Sequence, residues 1–172
     1  MVDIVVRARP GHSTKGIISL GHRSFYCALG RSGINAQKRE GDGHTPAGSF
    51  RLLAAFYRPD RVMRPITGLP LKALKRDDGW CDAPEDPRYN RSVKIPCSSS
   101  CENMWRSDGL YDLGVILDQN FTTRKRFGGS AIFFHVASAG LNPTEGCVAV
   151  PLETMTRLIC EADRETRMRI LL

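Results

Sequence analysis

The chain has 172 residues, 41% of them hydrophobic and 25% charged, which is typical of one globular domain and excludes a disordered or fibrous protein. Its longest apolar runs, such as AIFF, are strand-sized, so no membrane-spanning helix of roughly 20 residues is expected. The net charge is +7, but the Arg and Lys residues are scattered along the chain. A solvated basic surface is the first interpretation and a groove for a small carboxylate-bearing substrate is the second, whereas a nucleic-acid partner is not expected.

The N-terminal segment MVDIVVRARPG is not typical of a secretory signal, because Asp3 interrupts its start and no cleavage site follows the short apolar run. We therefore expect a cytoplasmic protein if Met1 is the native start, and a periplasmic one if a leader has been removed. Six cysteines in a chain of this length do not indicate a disulfide scaffold, so mostly reduced, unpaired thiols are expected. A zinc site built on Cys97 and Cys101 with a distant pair is disfavoured.

The first third of the chain predicts a series of β-strands joined by short turns. Apolar and polar residues alternate in four segments that we predict as strands: 3–9, 16–20, 24–29 and 49–57. The tripeptide Gly21-His22-Arg23 separates two of these strands and is typical of a hairpin turn. The stretch GDGHTPAG at 41–48 is dense in turn residues and predicts a sharp, solvent-facing loop.

Residues 58–109 differ from the rest of the chain. They contain most of the prolines, both tryptophans and half of the cysteines, and their periodicity is weak. A stretch of this length without clear elements is uncommon in a compact domain unless it is functional or disordered. Trp80, Tyr89 and Trp105 argue against disorder, so we predict an ordered insertion that lies over one face of the domain.

The last third predicts strands at 110–118, 130–137 and 168–172, with one helix between the second and the third. The helix is predicted to begin at Pro151, since proline is favourable at a first helical position, and to run to about Ala162. An apolar stripe supports it, formed by Leu152, Met155, Leu158 and Ile159. Together these elements predict a mainly β fold class, with a single domain over residues 1–172.

The segment FFHVASAGLNPTEGCVAV at 133–150 contains the residues that indicate chemistry. His135 lies near the end of a predicted buried strand, and Cys147 follows a tight turn shortly before the helix. A cysteine nucleophile must lose its proton, and a nearby imidazole can accept it. The N–H groups of Gly146 and Cys147 are candidate donors to an oxyanion. Taken alone, however, this spacing favours a core histidine beside a packing cysteine over a catalytic pair.

A T-P-x-G-x-F loop at 45–50 is followed later in the chain by a histidine and a T-x-G-C segment at 135–147. These two motifs, in this order, resemble those of L,D-transpeptidase (YkuD-type) catalytic domains. The catalytic signature of that family is a histidine followed by [S/T]-x-G-C, which here is His135, Thr144, Gly146 and Cys147. Its second element, a T-P-x-G-x-F loop that leads into a strand, occurs at 45–50. The resemblance implies the fold of that catalytic domain, a curved β-sandwich or sheet with one main helix after the catalytic cysteine.

The resemblance runs from about residue 2 to residue 172, and the insertion is similar to a variant branch that contains W-C-D, Y-N and E-x3-R segments. Three positions depart from the family pattern. The usual glycine after the histidine is Val136, the usual serine is Thr144, which retains the hydroxyl, and the arginine often found two positions after the cysteine is Ala149. The missing guanidinium bears on the substrate and the acceptor more than on the thiol chemistry.

The resemblance also implies acyl transfer on peptidoglycan stem peptides or muropeptides. Cys147 would attack the carbonyl of the L-centre of diaminopimelate in a tetrapeptide stem and expel the terminal D-alanine, while His135 acts first as base and then as acid. An amine acceptor would make the protein an L,D-transpeptidase, and water would make it an L,D-carboxypeptidase, as in some leaderless relatives. No metal or organic cofactor is expected, because the thiol and the imidazole suffice.

Several residues of the insertion are candidates for binding the zwitterionic stem peptide: Glu102, Arg106, Tyr89 and Asn90. The alternative is that Glu102 and Arg106 simply pair with each other on a helical turn. Asp42 and His44, beside the T-P motif, are weaker candidates.

Two functional alternatives remain open from the sequence. One is a catalytically silent module that binds peptidoglycan peptides. The other is a basic domain that binds anions or nucleic acid, and the absence of a basic helix or an aromatic platform in the sequence disfavours it.

Overall fold

The structure is a computed structural model that describes residues 3–172. These residues contain fourteen strands and one helix. The strands are β1 (Ile4–Arg9), β2 (His12–Leu20), β3 (Arg23–Ala28), β4 (Ile34–Asn35), β5 (Thr45–Pro46), β6 (Gly48–Tyr57), β7 (Leu71–Ala73), β8 (Asp78–Cys81), β9 (Arg91–Lys94), β10 (Cys101–Asn103), β11 (Leu113–Leu117), β12 (Phe133–Val136), β13 (Val148–Val150) and β14 (Arg167–Ile170). The helix α1 spans Leu152–Cys160. No helix in these residues is long and apolar enough to cross a membrane.

Nine of the strands form one sheet that curves until it closes on itself. Their order is β11-β12-β13-β3-β2-β1-β14-β6-β7, and β6 pairs with β11 as well. This closure is possible because β6 is ten residues long, so that 48–51 pairs with β14 while 52–57 pairs with β11. The predicted mainly β, curved fold with one helix after Cys147 is therefore confirmed.

The alternation of side chains along the strands divides the apolar residues between two clusters. Phe134 and Val148 belong to the larger cluster, whereas Phe133 and Cys147 belong to the smaller one. The larger cluster also receives three side chains of α1: Met155, Leu158 and Ile159. Cys147, the predicted nucleophile, thus lies in the smaller cluster, on the side of the β12–β13 pair that faces away from the larger cluster.

The helix differs from its prediction at both ends. Pro151 has a ψ of 148°, outside the helical range, so it precedes α1 instead of opening it. Leu152 is 40% exposed and does not belong to the apolar stripe, because its position in the first turn turns it towards solvent. The helix ends at Cys160, two residues before the predicted end.

The insertion at 58–109 contains four short strands that its weak periodicity did not predict. β8 lies between β10 and β9 in a three-stranded sheet, and β7 joins the edge of β6. Trp80 of β8 packs edge-on against Phe133 of β12, with ring centroids 5.1 Å apart. Through this contact the insertion supplies much of the smaller apolar cluster, which consists of Phe56, Leu74, Trp80, Met104, Tyr111, Phe133 and Cys147.

Two further expectations require correction. The GDGHTPAG stretch is not simply solvent-facing, because Thr45 and Pro46 are buried as strand β5, which pairs with β4. Cys97 and Cys101 form a disulfide at the start of β10, although the low cysteine density had predicted mostly unpaired thiols. The other four cysteines are free: Cys27, Cys81, Cys147 and Cys160.

Candidate active site

The parallel pairing of β12 with β13 brings the two predicted catalytic residues to one face of the sheet. The register aligns Phe134 with Val148 and His135 with Ala149. Because successive side chains of a strand alternate between faces, His135 and Cys147 point to the same side. The connection at 137–147, which ends in the turn at 143–146, returns the chain from the end of β12 to the start of the parallel strand β13. It thereby places Cys147 beside the strand that carries His135.

Both residues line one cavity of about 520 Å³. Its polar lining carries charges of both signs. The lining residues come from the segment before β5, the insertion, the segments before β11 and on both sides of β12, and the turn before β13. The members with charged or hydroxyl groups are Lys38, Glu40, Asp82, Glu102, Arg106, Tyr111, Ser130, Ser138, Thr144 and Glu145. Such a lining suits a ligand that carries both ammonium and carboxylate groups. No group of three or more His, Cys, Asp or Glu side chains in residues 3–172 converges in a way that would hold a metal ion.

The thiol of Cys147 is held by backbone groups. Its Sγ donates to the carbonyl of Ala131 at 3.2 Å and accepts from the N–H of Phe133 at 3.3 Å. Burial raises the pKa of Cys147 to about 12, against the lowering effect of the Phe133 N–H. The free protein therefore holds Cys147 as a neutral thiol.

The imidazole of His135 is buried and held in one tautomer. Nδ1 lies 2.8 Å from the carbonyl oxygen of Val136, and since a carbonyl only accepts, Nδ1 carries the proton and Nε2 keeps its lone pair. The ring packs edge-on against Tyr111, with centroids 5.3 Å apart. Burial lowers the pKa of His135 to about 4, so the imidazole is neutral at physiological pH.

No hydrogen bond joins Cys147 to His135 in the part of the chain that the structure describes. Both groups are neutral, and each has a backbone partner of its own. A neutral imidazole with a free Nε2 is nevertheless the form that can accept a proton. The arrangement is that of a base and a thiol whose proton moves only when a substrate is attacked.

The turn before Cys147 is held by two threonine hydroxyls. Thr144 Oγ1 donates to the carbonyl of Cys147 at 2.6 Å and accepts from the N–H of Gly146 at 3.1 Å. Thr45 Oγ1 accepts from the N–H of Gly30 at 2.8 Å and lies 3.5 Å from the same Cys147 carbonyl, so the T-P motif fixes the nucleophile turn from the other side. This support by Thr45 was missed in the sequence, although the T-P motif marked the residue.

Gly146 is required by its backbone and by its surroundings. Its φ of +136° is rarely adopted by other residues, and a Cβ there would lie 2.7 Å from the carbonyl oxygen of His44. Because its N–H already donates to Thr144, the predicted oxyanion role of Gly146 is not supported. The N–H of Cys147 stays as the predicted donor.

Glu102 and Arg106 both line the cavity, as their prediction as substrate-binding residues requires. They do not lie on a helical turn, because Glu102 belongs to β10 and Arg106 to the loop after it. Glu102 Oε1 accepts from the Tyr111 hydroxyl at 2.6 Å, while Arg106 forms a 2.5 Å ion pair with Asp108 and a longer one, 3.4 Å, with Glu102. Burial raises the pKa of Glu102. Tyr111, which links Glu102 to the ring of His135, had no sequence signal.

Comparison with known proteins decides the family. The model of the L,D-transpeptidase catalytic domain, YkuD, matches residues 17–170 of the chain. The chain belongs to this family. Its members are cysteine enzymes that act on peptidoglycan peptides.

Two solved structures are similar to the chain. An L,D-transpeptidase from Mycobacterium smegmatis is 13% identical with a TM-score of 0.43, and the match covers 99% of this chain and 59% of that one. L,D-transpeptidase 3 from Mycobacterium tuberculosis, in complex with a faropenem-derived adduct, is 14% identical with a TM-score of 0.44, with coverages of 99% and 61%. The chain thus spans about three fifths of the length of these proteins. A search of curated proteins found no match.

Within this L,D-transpeptidase domain, Tyr89 and Asn90 lie under the site instead of in the cavity. Both are buried, and the Tyr89 hydroxyl donates to the carboxylate of Glu40. Asn90 Oδ1 accepts from Trp80 Nε1 at 3.0 Å and from the N–H of Ala131 at 3.1 Å. Since the carbonyl of Ala131 accepts the Cys147 thiol, this placement supports a positioning role for Asn90 and argues against the predicted contact with substrate.

Lys38 is a cation of the site that the sequence did not single out. Its side chain is only 6% exposed, and its ammonium donates to Asp42 and to the carbonyl of Arg39. Nζ would lie 3.4 Å from a Cβ added to Gly146, so the charge is close to the nucleophile turn. Asp42 and His44, the weaker candidates, do not line the cavity, and Asp42 acts on the site by holding Lys38.

Proposed function

We propose that this domain is a cysteine acyl-transfer enzyme that cleaves peptidoglycan tetrapeptide stems at the bond before the terminal D-alanine. The observation that carries the proposal is the placement of the Cys147 thiol and the neutral His135 imidazole on one face of paired strands, in one cavity with charges of both signs. Membership of the L,D-transpeptidase family supports the substrate class.

In the acylation step, Sγ of Cys147 forms a bond to the stem carbonyl while its proton passes to Nε2 of His135. The carbonyl of Val136, which accepts from Nδ1–H at 2.8 Å, stabilises the imidazolium that results. The oxygen of the attacked carbonyl takes up the negative charge, and the N–H of Cys147 and the nearby ammonium of Lys38 are suited to stabilise it. The imidazolium then gives its proton to the leaving amine of D-alanine, and a thioester is left on Cys147.

In the second step the acyl group passes to an acceptor. His135 accepts a proton from the attacking water or amine, the new bond to the acyl carbon forms, and the thiol leaves with a proton. Water would make the protein an L,D-carboxypeptidase that trims stems, and the amine of a second stem would make it a cross-linking L,D-transpeptidase. The neutral resting pair is consistent with both, because the thiol is uncharged before and after each turnover.

Glu102 and Arg106 are proposed to bind the ionic groups of the stem. Arg106 is shared between Asp108 and Glu102, and a carboxylate of the substrate would compete with these partners. Glu102 lies in the same cavity and suits an ammonium group, which would strengthen the charged form of its carboxyl.

A second candidate function is a silent module that binds stem peptides without cleaving them. The specific observation in its favour is the high pKa of Cys147, together with the separate backbone partners of the thiol and the imidazole. In that case the Cys147→Ala variant would bind the stem as well as the native protein does, and neither would change it.

The experiment is mass spectrometry of a tetrapeptide-bearing muropeptide incubated with the protein, with Cys147→Ala as the matched control. Acyl transfer predicts loss of one alanine mass, or dimers and exchange with added D-amino acids, only with the native protein. Trimming without dimers identifies water as the acceptor, and dimers identify an amine. An unchanged muropeptide that still binds would favour the silent module.

A further inference from the structure

A second cavity, of about 590 Å³, adjoins the active site and shares Lys38 with it. Its walls are formed by two loops, one before β5 and one between β11 and β12. Four cations line it and no carboxylate does: Lys38, Arg39, Lys125 and Arg126. A pocket of this composition attracts a ligand of more than one negative charge. The first cavity is lined by charges of both signs and has no such preference for a multiply negative ligand.

Three of the four cations of the second cavity are weakly neutralised, whereas the buried Lys38 is paired with Asp42. Arg39 and Lys125 take part in no ion pair within residues 3–172, and both are exposed. Arg126 pairs with Glu85, but both side chains are about two thirds exposed, so this pair contributes little. Positive charge is therefore free to act on a ligand at this surface.

The loop at 119–129 holds its basic residues in a fixed arrangement. Asn120 Nδ2 donates to the carbonyls of Lys125 and Gly129, at 2.8 and 3.0 Å, and Asn120 Oδ1 accepts from the N–H of Lys125 at 2.7 Å. The carbonyl of Phe127 accepts from the N–H of Glu40 at 2.8 Å, which ties this loop to the segment that carries Lys38. The cations are thus presented by a preorganised scaffold.

Phe127 is one of three non-glycine residues of this loop with a positive φ, together with Asn120 and Arg124. Its φ is +60°, a region that a bulky residue rarely adopts, and its side chain is 56% exposed. Because Phe127 also lines the cavity, its exposed ring offers a flat face beside the cations. Near it, Oε1 of Gln119 is a buried acceptor without a hydrogen-bond partner in residues 3–172, and it lies in the lining of the cavity.

We propose that the second cavity binds a diphosphate-bearing extension of the acyl donor, with the phosphates among the four cations and an attached ring on Phe127. Two phosphates supply negative charge for the three weakly neutralised cations, and phosphate oxygens are good acceptors for Lys and Arg. The shared Lys38 makes the two cavities adjacent. That one donor occupies both is part of the proposal and rests on the proposed function.

The test measures binding by calorimetry to the Cys147→Ala protein, so that it does not depend on turnover. The probes are inorganic pyrophosphate, uridine diphosphate and farnesyl diphosphate. We expect Lys125→Gln and Arg39→Gln each to weaken pyrophosphate binding about tenfold, as for the loss of a charge-assisted hydrogen bond. The matched control is Arg64→Gln, which removes the same charge from an exposed position outside both cavities and should change binding less than twofold.

The ring partner and the source of the diphosphate are tested together. Phe127→Ala should weaken uridine diphosphate about tenfold and leave pyrophosphate unchanged, because only the nucleotide has a ring to stack. Tighter binding of uridine diphosphate than of farnesyl diphosphate would assign a nucleotide-linked donor. The reverse would assign a lipid-linked donor and overturn the ring contact with Phe127. The proposal is overturned if pyrophosphate does not bind at millimolar concentration, or if Arg64→Gln weakens it as much as Lys125→Gln does. Either result leaves the thiol chemistry untouched.

Discussion

The protonation state of Cys147 gives the sharpest prediction about the free protein. Burial raises the pKa of this thiol to about 12 from an ordinary value of 9.0. Only the thiolate reacts with iodoacetamide. A pKa that is about three units higher therefore lowers the thiolate fraction of Cys147 at neutral pH about a thousandfold. We expect Cys147 to be alkylated far more slowly than the exposed Cys160 at pH 7.5. Its rate should rise about tenfold per pH unit between pH 7.5 and 10.5.

The assay is timed alkylation between pH 7 and 10.5, followed by digestion and mass spectrometry of each cysteine peptide. Two other thiols serve as internal references in the same sample. Cys160 is exposed and reports the rate of an accessible thiol, while Cys27 is buried with its pKa likewise raised to about 12. Cys147 should follow the pH dependence of Cys27 and not that of Cys160.

A substitution at Lys38 tests the sign of the electrostatics. The ammonium of Lys38 acts to lower the pKa of Cys147, so Lys38→Met should slow alkylation of that thiol further at every pH below its pKa. The reasoning is refuted if native Cys147 is the first thiol to be labelled and its rate levels off below pH 8. That result would mean that His135 already holds a thiolate in the free protein.

Three further predictions concern the support of the site. Asn90→Ala leaves the N–H of Ala131 and two other buried groups unpaired and should cost about 3 kcal/mol in urea denaturation, whereas Asn90→Asp, which keeps both accepting contacts, should cost less. Gly146→Ala should abolish activity or folding, since its Cβ would meet a carbonyl at 2.7 Å. Gly140→Ala, also at positive φ but with no atom closer to its Cβ than Asn142 Oδ1 at 3.9 Å, should cost only the backbone strain. Glu102→Gln removes a negative charge that raises the pKa of the Cys147 thiol and should therefore speed its alkylation at pH 8. An unchanged or slower rate would contradict this.

The sequence predicted those parts of the fold that depend on local pattern. The strands β1, β3 and β6 agree with their predicted limits to within one residue, and β2 begins four residues earlier than predicted. They were predictable because alternation and turn residues are properties of adjacent positions. The short strands of the insertion were not predicted, because three or four residues are too few to show a period. The closure of the sheet was also not predictable, since it depends on which strands meet in space.

The candidate site was predictable to the same extent. His135, Thr144, Gly146 and Cys147 are close in sequence and share a motif, so their placement together followed from it. The contributions of Lys38 and Tyr111 come from distant segments that fold onto the site, and neither residue type is unusual in its local sequence. The same reason explains the reassignment of Asn90, whose burial and three hydrogen bonds are set by tertiary packing.

The most direct test of the account is the intact mass of the protein mixed with a tetrapeptide donor and stopped within the first turnovers. The account predicts a covalent adduct equal to the donor minus one alanine, located on Cys147. It also predicts no adduct with Cys147→Ala, and an adduct that forms more than about a hundredfold more slowly with His135→Gln. Release of alanine without an adduct on Cys147, or release by the Cys147→Ala protein, would contradict acyl transfer through this thiol.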